Sequence, residues 1–147
     1  MPGDITPGYA YCRHLIAFFT SAKYWLLEPS DHLVTANTTT STAYALANPD
    51  GTELLVYLAT ATAFQLQLPG GQSALWEGHW FDPRTGQRQP LANVTAANHV
   101  GGGGNGAGYT VLQPPSMYSC KPRTMCVQGD VALRLTVAEG SVGTTHR

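Results

Sequence analysis

Charge is scarce in this chain. Only 12% of its 147 residues are Asp, Glu, Lys or Arg, and eight bases against nine acids leave a formal net charge of −1. Nucleic-acid binders neutralise phosphates with clustered Lys and Arg, so nucleic acid is a poor fit as a partner. Long apolar runs are missing as well. Leu15 to Phe19 is the longest near the start, far short of the roughly 18 residues a membrane span needs. The opening MPGDITPGYAYCRH has no basic segment followed by an apolar stretch, so it does not read as a signal peptide. Five histidines, His14, His32, His79, His99 and His146, stand without an HxH or HxxxH spacing, and no metal-ligand set is read from them. A G-x-S-x-G elbow is absent too, which removes the common sequence sign of a serine nucleophile. The run GGGGNGAG matches a dinucleotide spacing at Gly101, Gly103 and Gly106, but the residues after it, YTVLQ, read as a strand. That fingerprint needs a helix N-terminus there, so the run is read as a mobile loop and no cofactor is implied.

The composition that is present supports a folded domain: 43% hydrophobic residues, with 16 glycines and ten prolines spread among Thr, Val, Leu and Tyr. Such a mixture fits short strands joined by turns better than a helical bundle. Two stretches show how the turns are made. In Asn48-Pro49-Asp50-Gly51 an Asx residue opens, proline fixes φ and glycine closes, between two apolar runs. Trp80-Phe81-Asp82-Pro83-Arg84-Thr85-Gly86 repeats that order. Asp82 is therefore read as capping the backbone amides of a tight turn, in preference to a catalytic carboxylate. Glu28, Asp31, Glu53, Glu77, Asp130 and Glu139 complete the acids weighed as an acid-base pair, and most fall at turns or strand ends where solvated carboxylates are ordinary.

From Tyr11 to Leu27 an apolar stripe of Leu15, Phe18, Phe19, Ala22 and Leu26 recurs at three- and four-residue spacings, predicting a helix that ends before Pro29. Its aromatic groups Phe18, Phe19, Tyr24 and Trp25 are interface candidates, because a free surface helix would not carry so many. The Thr-rich TANTTTSTA is either a connector or a first edge strand. Strands are then predicted at Ala43 to Ala47, Glu53 to Ala59, Ala63 to Leu68, Leu75 to Phe81, Gln87 to Leu91, Val94 to Val100, Tyr109 to Gln113 and Val131 to Val137. Phe64, Leu66 and Leu68 alternate with Gln65 and Gln67, and Val131, Leu133, Leu135 and Val137 share one side, the period of half-buried strands. The fold class is all-β: a two-sheet antiparallel β-sandwich with one N-terminal α-helix. Residues 1–34 form the helical segment, 35–140 the sandwich and 141–147 a tail.

Cys120 and Cys126 bracket KPRTM. A disulfide between them closes a short ring, contributing about 2 to 2.5 kcal/mol in the chain-entropy model. Cys12 is left over and is read as a small buried hydrophobe on the helix. Asn37 and Asn93 begin glycosylation sequons. Together with the cysteine pair they point to a secreted setting, reconciled with the missing leader if the chain is the C-terminal piece of a longer secreted protein. Trp76 and Trp80 share one face of the strand LWEGHWF with Gly78 between them. They are candidates for stacking on a sugar ring, although burial between two sheets is the preferred assignment.

The segments FFTSAKYWLLEPSDHLV, AYALANPDGTELLVYL and WFDPRTG together resemble the C-terminal end of the apiosidase-like glycoside hydrolases. In that group a (β/α)8 barrel precedes a β-sandwich labelled "putative collagen-binding domain of a collagenase". The resemblance spans roughly residues 11 to 137. Phe18, Phe19, Trp25, Leu27, Pro29, Asp31, Leu33 and Val34 look like the last barrel helix and its exit. Asn48 to Gly51 and Trp80 to Gly86 look like two recurrent hairpins. The family's closing strand often begins Asp-Trp, whereas this one reads Gly129-Asp130-Val131-Ala132. Gly101 to Gly108 and the Cys120 to Cys126 loop look like local elaborations. The barrel with its catalytic acids has no counterpart here, so no catalytic residue carries over. The resemblance implies a non-catalytic accessory module of a secreted glycoside-hydrolase-like protein, packing on a barrel and contacting polysaccharide. The alternative is a free-standing or self-associating binding protein that uses the helix stripe or the Trp76/Trp80 face.

Overall fold

The computed structural model describes residues 7–36, 42–69, 74–95, 109–115 and 129–139. Helix α1 (Pro7–Ser21) is followed by a 3-10 turn at Tyr24–Leu26, strand β1 (Glu28–Pro29), a second 3-10 turn at Asp31–Leu33 and β2 (Val34–Ala36). Then come β3 (Ala43–Ala47), β4 (Glu53–Leu58), β5 (Phe64–Gln67), β6 (Leu75–Phe81), β7 (Arg88–Thr95), β8 (Tyr109–Leu112) and β9 (Val131–Val137). Two antiparallel sheets result, one of six strands in the order β1-β3-β4-β9-β6-β7 and one of three in the order β2-β5-β8. The all-β two-sheet sandwich with one α-helix is the fold the turn grammar and strand spacing lead to.

Both predicted hairpins form, for local reasons. Asn48 Oδ1 accepts from the amides of Thr52 (2.8 Å) and Glu53 (2.9 Å), and Gly51 N donates to Asn48 O (3.0 Å) with Gly51 at φ 66°. A side-chain acceptor thus satisfies amides the turn would leave unpaired. The β4 and β6 hairpins are then joined by β9, the last of the described strands, which pairs with β4 on one side and β6 on the other. Being central, β9 is buried on both faces over Val131, Ala132 and Leu133. Gly78 of β6 belongs to this closure, since a Cβ there would lie 1.8 Å from the carbonyl oxygen of Arg134. Only glycine allows the two backbones to approach so closely.

The core lies between the sheets. Leu54, Val56, Leu133 and Leu135 of the large sheet meet Phe64 and Leu66 of the small one, all essentially without exposure. Trp76 (0% exposed) and Trp80 (3%) fill the same space, with Trp80 edge-on to Phe64 at 6.1 Å between centroids. Their indoles present no face to solvent, which withdraws them as sugar platforms and bears out the assignment to the interior.

Several boundaries differ from expectation. The helix starts at Pro7 and stops at Ser21, because Lys23 adopts φ 50° and breaks the ladder. Proline is well suited to a first helical position. Leu26, counted in the apolar stripe, consequently leaves that face and is exposed. The strand predicted at Gln87 to Leu91 and the first residues, Val94 and Thr95, of that predicted at Val94 to Val100 are one strand, β7, through Asn93 at φ 59° opposite a register shift between Trp76 and Gly78; residues 96–100 lie outside the described ones. Asn93, expected in a connection, is therefore inside a strand, with its side chain exposed. Cys12, expected to be buried, is exposed on α1 and free. The short strand β1 was not foreseen. It continues into Ser30 and Asp31, where Ser30 N donates to Ala45 O (2.8 Å) and Asp31 Oδ1 accepts from Ala45 N (2.8 Å), so a carboxylate closes the edge of β3.

Candidate functional site

The outer face of the six-stranded sheet is where the helix and the sandwich meet. Strand alternation turns Leu55 and Tyr57 of β4, Ala132 of β9 and His79 and Phe81 of β6 away from the inter-sheet core. Helix α1 covers this apolar strip. Phe18 is 1% exposed and lies stacked on Phe81 at 4.5 Å, with Phe19 and His79 edge-on to it. Ala22, Leu55, Phe81 and Ala132 complete this second cluster. Phe18, proposed for an interface, is instead the intramolecular anchor of α1, because its helical position points it directly onto the sheet.

Polar contacts fix the same helix. The Tyr11 and Tyr57 hydroxyls both donate to Asp130 Oδ2, the latter at 2.6 Å. Burial first, and then the hydrogen bond to Asp130, raise the pKa of both phenols above the ordinary value. At the other end of the cluster, His14 rests against the WFDPRTG turn: a Cβ on Gly86 (φ 74°) would lie 2.7 Å from His14 Nδ1. Burial, followed by the charges of Arg88 and Arg134, lowers the pKa of His79. Its Nε2 is buried without a hydrogen-bond partner.

The turn itself answers to the capping role. Asp82 is 0% exposed; its Oδ1 accepts from Arg84 N at 2.9 Å and faces Arg84 Nε at 3.3 Å. Its backbone closes the hairpin through Asp82 N to Gln87 O and Gly86 N to Asp82 O. Oδ2 is buried and has no partner. Of the other acids weighed, Asp31 holds β3, Glu53 accepts from Arg134 Nε at 2.8 Å and Asp130 holds the two tyrosines. These carboxylates are engaged in structural contacts, and no group of three His, Cys, Asp or Glu converges among the described residues.

What α1 leaves uncovered is a second apolar surface. Tyr9, Cys12, Arg13, Ile16, Ala17 and Thr20 recur at three- and four-residue spacings on the side away from the sheet, all exposed and with one charge among them. Ile16 is 66% exposed. Between this side and β3 runs a groove of about 420 Å³ lined by Leu15, Ile16, Phe19, Thr20, Tyr24 and Leu46. An adjoining hollow of about 250 Å³ carries it over Tyr44 and Tyr57. Tyr24 and Trp25, edge-to-face at 5.6 Å, stand at its end, and Trp25 is 59% exposed. Of the four aromatic interface candidates, Tyr24 and Trp25 thus lie open, Phe19 lines the groove and Phe18 is buried. Ile16, Tyr44 and Leu46 were missed, although a 3.6-residue count from Tyr9 through Cys12, Ile16 and Thr20 would have shown the second stripe. Cys120, Cys126, Asn37 and the Gly101 to Gly108 run lie outside the described residues. No helix among the described residues is long and apolar enough to cross a membrane.

Comparison with known proteins places this geometry. A family described as "Putative collagen-binding domain of a collagenase" matches residues 29–105, just over half of the chain. Among solved structures, a glycoside hydrolase and a glycoside hydrolase family 5 protein from Bacteroides vulgatus ATCC 8482 share the fold, each at a TM-score of 0.62 and 14% identity over 88% of this chain. The chain spans about a quarter of the length of those structures, 25% and 24%. No curated protein matches it in sequence.

Proposed function

This chain belongs to the family described as "Putative collagen-binding domain of a collagenase", and from that premise we propose that it is a non-catalytic accessory module of a secreted glycoside-hydrolase-like protein. In this reading α1 is a helix with two apolar faces. One anchors on the sandwich through Phe18 and the Tyr11–Asp130–Tyr57 cluster; the other seats on the catalytic (β/α)8 barrel. The observation that carries the proposal is the exposed stripe of Tyr9, Ile16 and Thr20 continuing into the groove that Tyr24 lines, with Trp25 exposed beside Tyr24. Burying a large apolar side chain contributes roughly 1.5 to 3 kcal/mol, so several left open in water favour a covered state. The groove, about 420 Å³, has room for side chains from a partner surface. The module's second task is to hold polysaccharide near the barrel.

The test is to produce the barrel encoded in frame before this chain with and without the chain, and to compare thermal unfolding. The expected result is a barrel that melts several degrees lower alone, with stability returned in trans by the wild-type chain and not by an Ile16→Asp/Trp25→Ser variant. A reading frame that encodes no barrel, or a barrel equally stable alone, overturns the proposal. Self-association of the isolated chain that persists when the barrel is present marks the free-standing reading as the correct one.

A further inference from the structure

The three-stranded sheet carries no charge at all. Its strands read VTA, FQLQ and YTVL, and the described flanks Ala61–Ala63, Leu68–Pro69 and Gln113–Pro115 add none; the turn before β2 carries Asp31, whose Oδ1 is held on the Ala45 amide of β3. Every other Asp, Glu, Lys and Arg among the described residues belongs to α1, the six-stranded sheet or the segments that flank them. Soluble surfaces are usually about a quarter to a third charged. A face built this way needs a reason.

Register fixes what the face presents. Phe64 and Leu66 of β5 are fully buried, so Gln65 and Gln67, which alternate with them, face away from the core. Gln65 is paired with Thr35 of β2 on one side and Val111 of β8 on the other, and both of these are exposed. Gln67 is paired with Tyr109, and exposed Gln113 follows Val111 by one pleat. The side-chain amides of Gln65 and Gln67 make no hydrogen bond to any other described residue. Standing two residues apart on one strand, they are separated by about 6.6 to 6.8 Å along it.

We propose that this face binds a neutral polysaccharide chain running along β5, with Gln65, Gln67 and Thr35 hydrogen-bonding its hydroxyl groups and Val111 against a ring. The proposal rests on the accessory-module reading above and names where its glycan contact lies, now that Trp76 and Trp80 are in the core. A primary amide offers two donors and an acceptor on a flat uncharged group, which matches hydroxyls that both give and accept. An anionic polymer would lose hydration here and gain no ion pair. A protein partner fits poorly, because binding hot spots are rich in Trp, Tyr and Arg, whereas the apolar groups among the outward side chains described are the small Ala63, Pro69, Val111 and Pro115.

Affinity electrophoresis of the 147-residue chain in gels containing xyloglucan, galactomannan, mixed-linkage β-glucan or amylopectin, with polygalacturonate as anionic control, tests this. The expected result is retardation by at least one neutral polymer and none by polygalacturonate. A Gln65→Ala/Gln67→Ala variant with unchanged far-ultraviolet circular dichroism should bind about tenfold or more weakly, the loss of two hydrogen bonds. No retardation by any neutral polymer overturns the proposal. So does equal retardation of the double variant, or equal retardation by polygalacturonate. Concentration-dependent association that vanishes in the double variant identifies a second copy as the occupant and overturns it as well. Barrel stabilisation is read separately: a chain that stabilises the barrel but runs freely through every gel refutes the glycan face alone, and the converse refutes the barrel seat alone.

Discussion

Replacing Phe18 by Ala isolates the contact that fastens the helix to the sandwich. Phe18 is 1% exposed and is stacked on Phe81 at 4.5 Å, with Phe19 edge-on at 5.5 Å and His79 at 6.0 Å. Truncating a buried phenylalanine costs about 3 to 5 kcal/mol. The lower half of that range applies, because Phe18 belongs to the smaller cluster and α1 can settle partway into the space left. About 3.5 kcal/mol is a large share of the roughly 5 to 15 kcal/mol by which a domain is stable. In urea, with a slope of about 2 kcal/mol per molar, the midpoint should fall by about 1.5 to 2 M. On heating, about 2 to 4 °C per kcal/mol gives a loss of about 7 to 14 °C. Ile16→Ala on the opposite side of the same helix is the control and should stay within about 0.5 kcal/mol of wild type. Equilibrium urea unfolding of the three proteins, followed by circular dichroism, decides the matter. If Phe18→Ala lies within about 1 kcal/mol of wild type, or Ile16→Ala costs as much, α1 is not docked by the face assigned to it.

Burial together with Arg88 and Arg134 sets the His79 pKa below its ordinary value of 6.5, so the unfolded chain takes up a proton before the folded one does. The stability His79 allows is complete above about pH 6.5 and declines as pH falls below it; denaturation midpoints should drop from pH 7 to 5, His79→Gln should flatten that slope, and parallel profiles would contradict the assignment. Gly78→Ala puts a methyl 1.8 Å from the Arg134 carbonyl oxygen, and since both groups are backbone-fixed the cost should be about 3 kcal/mol or more; a thermal midpoint near wild type would show that β6 and β9 have room to part. Tyr57→Phe and Tyr11→Phe should each cost about 1 to 2 kcal/mol. Because both hydroxyls meet the same Asp130 oxygen, a double-mutant cycle should show coupling of about 0.5 kcal/mol or more, and strict additivity would mean the two contacts are independent.

Local chemistry made the two hairpins legible before any coordinates. Asn48-Pro49-Asp50-Gly51 and Asp82-Pro83-Arg84-Thr85-Gly86 turn the chain with their own side chains and glycines, so their geometry needs no tertiary partner. Alternation likewise exposed β5 and β9. What failed were features set by neighbours. Asn93 reads as part of a connection between two strands, yet β6 shifts register opposite it and β7 continues. The edge of β3 is closed by Asp31, a side chain acting as strand, which no strand pattern signals. Periodicity marked Phe18 and Phe19 alike as apolar, but the curvature of one helical turn puts the first under the sheet and the second beside the groove. Leu46 reaches that groove from β3, where pairing with β4 sets it opposite Leu55 on the helix-covered face. Gln65 and Gln67 read as the ordinary wet half of a strand; their interest comes from the absence of charge on β2 and β8, which register alone brings beside them.

Trp25 supplies the most direct measurement of the central claim. Of the three tryptophans, Trp76 and Trp80 are buried and Trp25 is 59% exposed at the end of the groove, so the acrylamide-quenchable, red-shifted emission of the isolated chain belongs to Trp25, as a Trp25→Phe control verifies. Titrating in the barrel, with its own tryptophans replaced by phenylalanine, should shift that emission to the blue and remove most of the quenching as the α1 surface is covered. Emission and quenching that do not change at saturating barrel would contradict the account.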